Sequence, residues 1–352
     1  MADNVALIEI NKAQQALERA NEIHEMVDLR DKFMAIQIFA NAQGFKDAAQ
    51  EAKIYQLKAE RKAGEWLKEH VDHRGAAAGN EYQDDTRLPD GVDKLESSRW
   101  QSEAAIPEEQ FNDWIDRCLS TGKEISSAGL QRLGKDYRRE QKREELAEIG
   151  NDVLPSDLWS VEQGDISSWQ TPKRYDFIIT DPPYPREYLP LYDVLGRRAR
   201  EWLKPGGLLI AMCGQSYLNQ IYATLDRHLV YYWTAAYLMP GQVTPLRQRQ
   251  VNTSWKPLLI YGLDEQYKGK IFGDVFISDS KEKDFHDWGQ SLSGMTSIIN
   301  QICLPGQSIL DPFCGAGTTG IAAIKYGCSF DGIDLEEQNV NVSKARLYDS
   351  TA

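Results

Sequence analysis

From Asn151 onward the chain alternates short apolar runs with segments of helical periodicity. Several of these runs are continuous, which is typical of strands buried on both faces of a mostly parallel sheet. Such a sheet needs helices on both faces, so the pattern predicts an α/β domain over residues 151–352. Seven strands are predicted: Leu158–Val161, Tyr175–Thr180, Gly207–Met212, Leu229–Tyr237, Pro257–Tyr261, Ser308–Leu310 and Ser329–Ile333.

The first 150 residues have a different pattern. Residues 1–70 place apolar side chains near helical spacing, with a break at Asn41–Gly44, and predict a hairpin of two long helices. Such a hairpin cannot bury its apolar stripes alone, so we expect it to mediate a homodimer or to act as a DNA-contact arm. Residues 71–94 are rich in Gly, Asp, Asn and Ala, and predict a linker.

Residues 95–150 return to a helical pattern. Ser127 is expected to cap a helix over 128–133, followed by a charged run. The segments Phe111–Leu119 and Ser127–Leu133 fit a helix-turn-helix, although a plain helical bundle with a solvated face has more weight on pattern alone. The N-terminal region is therefore predicted to be all-helical.

Composition sets the broad class of the protein. Of the 352 residues, 41% are hydrophobic and 26% are charged, as in a globular protein. No apolar stretch is long enough to cross a bilayer, and the N-terminus lacks the apolar core of a signal peptide, so a cytoplasmic location is expected. The five cysteines are scattered, and no metal site is expected. The net charge of −13 weighs against binding of nucleic acid, but such binding depends on a local patch of positive charge rather than on the sum.

A carboxylate, two prolines and an aromatic ring follow the predicted strand Tyr175–Thr180 directly, as Asp181-Pro182-Pro183-Tyr184. Ligands bind at the carboxyl ends of strands in open α/β sheets. The prolines fix φ and donate no N–H, so the carbonyls of Asp181 and Pro182 can accept from an amino group. The ring of Tyr184 offers a face to a planar base. A strand-ending turn whose aspartate caps a helix is the alternative.

A glycine-rich turn follows the predicted strand Ser308–Leu310 and includes Asp311, Phe313, Gly315, Gly317 and Thr318. The two glycines let the backbone approach a ligand closely. The next predicted strand leads into Asp334, in the position of a carboxylate that binds ribose hydroxyls. The glycines lack the full spacing of a dinucleotide-binding motif, and the turn has no lysine of the P-loop type. The turn therefore favours a nucleoside without phosphates, or else serves only to join strand and helix.

These two motifs resemble motifs IV and I of the amino-methyltransferases that act on DNA. Their order in the chain is similar to the circularly permuted β group, the phage or bacterial adenine-N6 type. Three further segments resemble that family: Gly164-Asp165, Trp202–Gly207 and His286–Ser291. The resemblance covers roughly residues 157–347. It implies a Rossmann-like methyltransferase sheet and a location in a bacterial or phage-infected cell.

The resemblance implies S-adenosylmethionine as the cofactor. Asp165 would bind its adenine amino group and Asp334 its ribose, while Gly315 and Gly317 would face the amino-acid part. Asp311 and Phe313 belong to the same cofactor motif, and Thr318, Gln290 and Ser291 would be polar partners. The His286–Ser291 segment departs from the commoner His-Pro-x-Gln-Lys-Pro form.

The implied activity is methylation of N6 of an adenine flipped out of double-stranded DNA. Asp181 and Pro182 would accept the hydrogens of the amino group, Pro183 would stiffen the turn, and Tyr184 would stack on the base. N4-cytosine methylation is the nearest alternative. A DNA-binding regulator with a retired methyltransferase domain is the alternative from another class.

Target recognition is expected in the polar segment 240–256, where the family places its recognition region. Arg247, Arg249 and Lys256 are the DNA-binding candidates, because Arg and Lys suit phosphates and base edges. A solvated loop is the alternative.

Overall fold

The computed structural model describes residues 2–71, 88–241, 243–267, 269–278 and 291–351. The chain divides into two compact units, Met1–Arg139 and Glu140–Ala352. None of the described helices is long and apolar enough to span a membrane.

The first half of the chain is helical, as its apolar spacing predicts. Its helices are α1 (Ala2–Arg19), α2 (Ile23–Gln43), α3 (Lys46–His70), α4 (Lys94–Ala104), α5 (Glu108–Thr121) and α6 (Ser127–Asn151). The linker expected over 71–94 lies largely outside the described residues. Helix α4 begins at Lys94, the last residue of that expected linker.

Residues 2–70 form three helices, not the two expected from apolar spacing. The break at Gly44 lies where expected, with φ of 78° at the end of α2. The additional break separates α1 from α2, and there Glu25 Oε2 accepts from the backbone N–H groups of Asn21 and Glu22 at 2.9 and 3.1 Å. This acidic side chain satisfies free N–H groups at a helix start. A local polar cap of this kind leaves the apolar spacing unchanged, so periodicity did not reveal it.

The turn between α5 and α6 also differs in detail from the expectation. Gly122 ends α5 with φ of 65°. Ser126, not Ser127, accepts from Gly129 N at 3.2 Å at the start of α6. The expected short helix and the charged run after it form one helix of 25 residues. The helix-turn-helix stays a prediction.

Two glutamates are buried in the N-terminal unit, Glu60 on α3 and Glu103 on α4, at 1% and 0% exposure. Arg99 reaches them only at 3.7 and 3.9 Å, from Nη2 to Glu60 Oε1 and from Nε to Glu103 Oε1. Among the described residues neither carboxyl oxygen of Glu103 has a hydrogen-bond partner. Burial, and then the neighbouring Glu60, raise the pKa of Glu103 to about 8. The Glu103 carboxyl is therefore mainly neutral at pH 7.

In the second unit, the described residues form ten strands. They are β1 (Trp159–Gln163), β2 (Tyr175–Thr180), β3 (Leu203–Met212), β4 (Val230–Leu238), β5 (Thr244–Leu246), β6 (Val251–Thr253), β7 (Trp255–Gly262), β8 (Val275–Ile277), β9 (Ser308–Asp311) and β10 (Ser329–Asp334). Eight form one sheet in the order β1-β10-β9-β2-β3-β7-β4-β8, while β5 and β6 form a separate hairpin. All seven predicted strands are present. The short strands β5, β6 and β8 were not predicted.

The direction of the strands determines which residues share an edge of the sheet. Neighbours in the sheet are parallel, except that β7 runs antiparallel to both β3 and β4. The carboxyl ends of the parallel strands therefore lie along one edge, and the first residues of β7 reach that same edge. Pro257 O accepts from Cys213 N at 3.2 Å, just beyond the end of β3.

Helices cover both faces of the sheet, which confirms the predicted α/β class. They are α7 (Leu189–Trp202), α8 (Leu218–Leu225), α9 (Leu292–Ile302), α10 (Thr318–Tyr326) and α11 (Glu337–Thr351). Phe177 and Ile179 of β2 share a buried cluster with residues of α9, α10 and α11. Ile178, between them in sequence, belongs to the cluster formed with α7 and α8. Alternate side chains of one strand thus fill the two layers.

We predict that Glu103→Gln makes the protein more stable, by an amount that grows with pH. Because the pKa of Glu103 is raised by folding, the stability due to the neutral carboxyl is complete below about pH 4.5 and is lost as pH rises towards 8. The advantage of the variant should increase by at most about 1.4 kcal/mol per pH unit across that range. Urea denaturation of both proteins at pH 5, 6.5 and 8 measures it. An advantage independent of pH would contradict a neutral Glu103.

Candidate active site

Four segments that are far apart in the sequence meet at the carboxyl edge of the sheet. Strands β1, β10, β9 and β2 are consecutive neighbours there. Gly164 N donates to Asp334 O at 2.9 Å, Cys314 N donates to Ile333 O at 3.0 Å, and Thr180 Oγ1 donates to Asp311 Oδ1 at 2.7 Å. The edge thus carries Asp165, Asp334, the glycine turn and Asp181 in that order. The turns after β2 and β9 lie on adjacent strands.

Asp311 braces this edge. It is 2% exposed, and its carboxyl group accepts from Thr180 Oγ1, from Thr319 Oγ1 at 2.6 Å and from Phe313 N at 3.1 Å. Burial raises the pKa of Asp311 to about 6, against the effect of these hydrogen bonds. The carboxyl oxygens of Asp311 thus take part in hydrogen bonds within the protein, and its contact with a cofactor stays a prediction.

The glycine turn combines one open position with one crowded position. Gly315 has φ of 51°, and a Cβ built there meets no atom within 4 Å. Gly317 has φ of 77°, and its Cβ would lie 2.3 Å from Ser343 Oγ. Glycine is therefore required at 317 by packing within the protein, whereas the space beside Gly315 is free for a ligand. Thr318 begins α10, and its Oγ1 accepts from Arg346 Nη1 at 3.5 Å.

Asp334 lies between the glycine turn and α11. Its Oδ2 accepts from Gly315 N at 2.9 Å, and its Oδ1 accepts from Glu336 N at 3.0 Å and from Asn339 Nδ2 at 2.9 Å. A carboxylate offers about four acceptor positions. Three are filled by described residues, which leaves one for a ligand hydroxyl.

Asp165 lies two residues beyond β1 and is exposed. Its Oδ1 accepts from Ser167 N at 2.7 Å, and hydrogen bonds from Ser167 lower the pKa of Asp165. The carboxylate is therefore an ionised acceptor at the first strand of the same edge.

Of the two predicted polar contacts at the start of α9, the structure describes Ser291 but not Gln290. Ser291 is buried at 6% exposure and caps α9, where its Oγ accepts from Gly294 N at 3.1 Å. It also shares a 2.6 Å hydrogen bond with Ser278 Oγ. Gln290, with the rest of the segment from His286, lies outside the described residues. Among those that are described, no group of three or more His, Cys, Asp or Glu is placed to hold a metal.

The tetrapeptide after β2 forms a compact polar corner. Tyr184 OH donates to Asp181 Oδ1. Burial, and then the nearby Asp181 carboxylate, raise the pKa of Tyr184 well above its ordinary value, so the phenol stays protonated. Gly214, just beyond β3, lies against the ring, and a Cβ there would be 3.4 Å from Tyr184 Cβ. Pro182 is buried, and Pro183 is half-buried.

Residues 175–345 match the N6/N4 methyltransferase family model, described as DNA methylase. This segment of the chain therefore resembles a DNA methylase domain. The match begins at β2, so it includes both the tetrapeptide and the glycine turn.

Individual proteins are also similar to parts of this chain. YubD of Escherichia coli (strain K12) is 24% identical over 194 residues, which cover 49% of this chain and 81% of that protein. The type II methyltransferase M.HinfI of Haemophilus influenzae is 34% identical over 75 residues, 21% of each chain. Among solved structures, the M1.HpyAVI–SAM complex has 23% identity and a TM-score of 0.46, covering 54% of this chain and 98% of its own.

The segment 240–256, where target recognition is expected, contains a hairpin. Strands β5 and β6 pair across a turn that holds Arg247 and Arg249, both exposed. Arg249 Nη2 donates to Ser216 O at 2.9 Å, and Thr253 Oγ1 donates to Gln215 Oε1 at 3.0 Å. The hairpin thus lies next to the residues that follow β3, at the carboxyl edge of the sheet.

Lys256, one of the DNA-binding candidates, lies close to Asp181 and Tyr184. Its Nζ is 4.0 Å from Asp181 Oδ2 and 5.0 Å from the centroid of the Tyr184 ring. The structure therefore places Lys256 beside the Asp181–Tyr184 tetrapeptide, and its contact with DNA stays a prediction. The sequence contains no signal for this placement, because it depends on the antiparallel direction of β7.

We predict that Asp311→Asn stabilises the protein above pH 6 and leaves it nearly unchanged near pH 4. The neutral Asp311 carboxyl contributes stability below about pH 3.8 that is lost as pH rises through about 6. Asparagine keeps the acceptor for Thr180 and carries no charge, so the difference should reach about 3 kcal/mol at most. Thermal denaturation from pH 4 to 7.5 measures it. Melting curves that differ equally at every pH would show that Asp311 does not titrate in this range.

Proposed function

We propose that this chain transfers a methyl group from S-adenosylmethionine to N6 of adenine in double-stranded DNA. The proposal rests on the hydrogen bond from Thr180 Oγ1 to the Asp311 carboxyl group, which links the ends of β2 and β9. Asp181 directly follows β2, and the glycine turn directly follows β9. Methyl transfer needs a nucleophile and a methyl donor held in line, and two adjacent rigid turns supply that alignment.

The residues along the edge fit the proposed cofactor, which supplies an electrophilic methyl group on a sulfonium. We assign its adenine amino group to the exposed Asp165, and its ribose hydroxyls to the open acceptor position on Asp334. The free space beside Gly315 suits the amino-acid part. Phe313, Thr318, Ser291 and Gln290 are proposed as further contacts.

The substrate side is assigned to the tetrapeptide. The lone pair of an adenine amino group is delocalised into the ring, so the nitrogen is a weak nucleophile. If the Asp181 carboxylate and the Pro182 carbonyl accept its two hydrogens, the lone pair would be free to form a bond to the methyl carbon, while the bond from that carbon to the sulfonium sulfur would break and leave a neutral thioether. Asp181 then takes the departing proton, directly or through water. The Tyr184 ring stacks on the base, which must leave the duplex at a cost of a few kcal/mol.

Adenine is preferred over cytosine because Asp precedes Pro-Pro-Tyr, in likeness to the adenine enzymes. N4-cytosine methylation is the second candidate, since both exocyclic amino groups present the same two hydrogens. A retired domain that only binds DNA would have no need of the open cofactor turn.

We predict that the purified protein produces N6-methyladenine in unmethylated DNA, and that Asp181→Asn lowers the rate by about 100-fold or more. Asparagine can neither take the proton nor attract the amino hydrogens as a charge. Incubation with the cofactor, digestion to nucleosides and mass spectrometry identify the base and the rate.

Asp264→Asn is the control for this substitution. Asp264 is exposed beyond the end of β7, at the opposite edge of the sheet, and should retain full activity. N4-methylcytosine as the product would favour the second candidate. No methylated base from the unaltered protein would overturn the proposed activity.

We predict that Gly315→Ala weakens binding of S-adenosylmethionine by about tenfold or more, because its methyl group would enter the free space beside the turn. Gly306→Ala is a matched control, since Gly306 also has positive φ, of 85°, with nothing within 4 Å of its Cβ. Both variants should lose about 1–2 kcal/mol of stability to backbone strain. Isothermal titration calorimetry separates them. Equal affinity in the two variants would contradict the assigned site.

A further inference from the structure

The position of Lys256 differs from that of a typical DNA-backbone contact. Phosphate-binding lysines extend into solvent, where they release counterions from the DNA. The Lys256 side chain is 21% exposed and lies beside the Asp181 carboxylate, itself 17% exposed. Arg247 and Arg249, on the neighbouring hairpin, are exposed. The three basic residues of the recognition segment therefore fall into two groups.

One ammonium group faces both functional parts of the tetrapeptide. Lys256 Nζ is 4.0 Å from Asp181 Oδ2, while Tyr184 OH occupies Oδ1 of the same carboxylate. The same Nζ lies over the Tyr184 ring, 5.0 Å from its centroid. A cation over an aromatic face contributes about 0.5–2 kcal/mol, and more when desolvated. The carboxylate and the ring are thus held by a common neighbour.

The topology of the sheet accounts for this placement. Lys256 is the second residue of β7, which pairs with β3 in antiparallel direction and begins at the catalytic edge. Gly214, which lies against the Tyr184 ring, follows β3 at the same edge. A rigid strand in the middle of the sheet therefore carries the ammonium, rather than a surface loop.

We infer that Lys256 is a positioning residue of the catalytic pocket, holding the Asp181 carboxylate and the Tyr184 ring in the orientation that receives the target base. An ammonium carries only donors, so while charged it cannot accept the proton that the amino group loses. It acts through Asp181, by fixing which oxygen of that carboxylate faces the base. This inference rests on the proposed function for its catalytic consequence, but not for the contact itself.

The kinetic test compares Lys256→Gln with Lys256→Arg and Arg249→Gln. Lys256→Gln should lower kcat by about tenfold or more, with KM for DNA within about threefold of the unaltered value. Lys256→Arg keeps the charge and should recover most of that loss. The slope of log KM against log salt should be unchanged in Lys256→Gln, but smaller by about 1 in Arg249→Gln if that arginine binds a phosphate.

A spectroscopic test needs neither cofactor nor DNA. In protein labelled with 3-fluorotyrosine, the ¹⁹F resonance of Tyr184 is assigned by its loss in Tyr184→Phe. Lys256→Gln should shift this resonance, whereas Lys325→Gln, at an exposed site on α10, should not.

The two tests distinguish failure of the proposed function from failure of the inference about Lys256. If the unaltered protein methylates no DNA, the proposed function falls, and the ¹⁹F shift alone decides whether Lys256 holds the pocket. If DNA is methylated and Lys256→Gln raises KM and reduces the salt slope while kcat is kept, Lys256 is a phosphate contact and the inference is overturned. An unmoved Tyr184 resonance would overturn it as well.

Discussion

The hydrogen bonds from Thr180 and Thr319 to the buried Asp311 carboxyl group hold the two halves of the site together. One donor ends β2 and the other lies in the first turn of α10, so a single side chain ties the catalytic strand to the glycine turn. Burying a carboxyl group costs free energy even with these bonds. The raised pKa of Asp311 is a sign of that cost. In return the relative position of the two turns is rigid, which an in-line transfer requires.

Local sequence predicted most of the sheet because its central strands are buried on both faces. The run Tyr175–Thr180 is a strand with the predicted bounds. The placement of Asp181 and Asp334 at one edge followed from the same pattern, since a residue that ends a parallel strand must lie at the carboxyl edge. Motifs that directly follow strands are therefore the part of this site that a sequence determines by itself.

Features that depend on distant parts of the chain were not predictable in this way. The role of Lys256 depends on β7 being antiparallel, which no residue near Lys256 encodes. Strands β5, β6 and β8 have three residues each, too few to show a period. Pro245 lies in β5, where an isolated two-stranded hairpin tolerates a proline. The break between α1 and α2 arises from a single side-chain cap.

The net charge of −13 is compatible with a DNA substrate when the charges are located on the structure. Carboxylates lie along the carboxyl edge of the sheet at Asp165, Asp334 and Asp181, where on the proposed function they would face a sulfonium cofactor rather than a phosphate. On the proposed function the DNA backbone is left to exposed cations outside that edge, such as those of the β5–β6 hairpin. Lys256 belongs to neither group, because its charge is directed at Asp181. A segment rich in basic residues thus divides between holding the substrate and arranging the catalytic pocket, a division set by burial rather than by residue type.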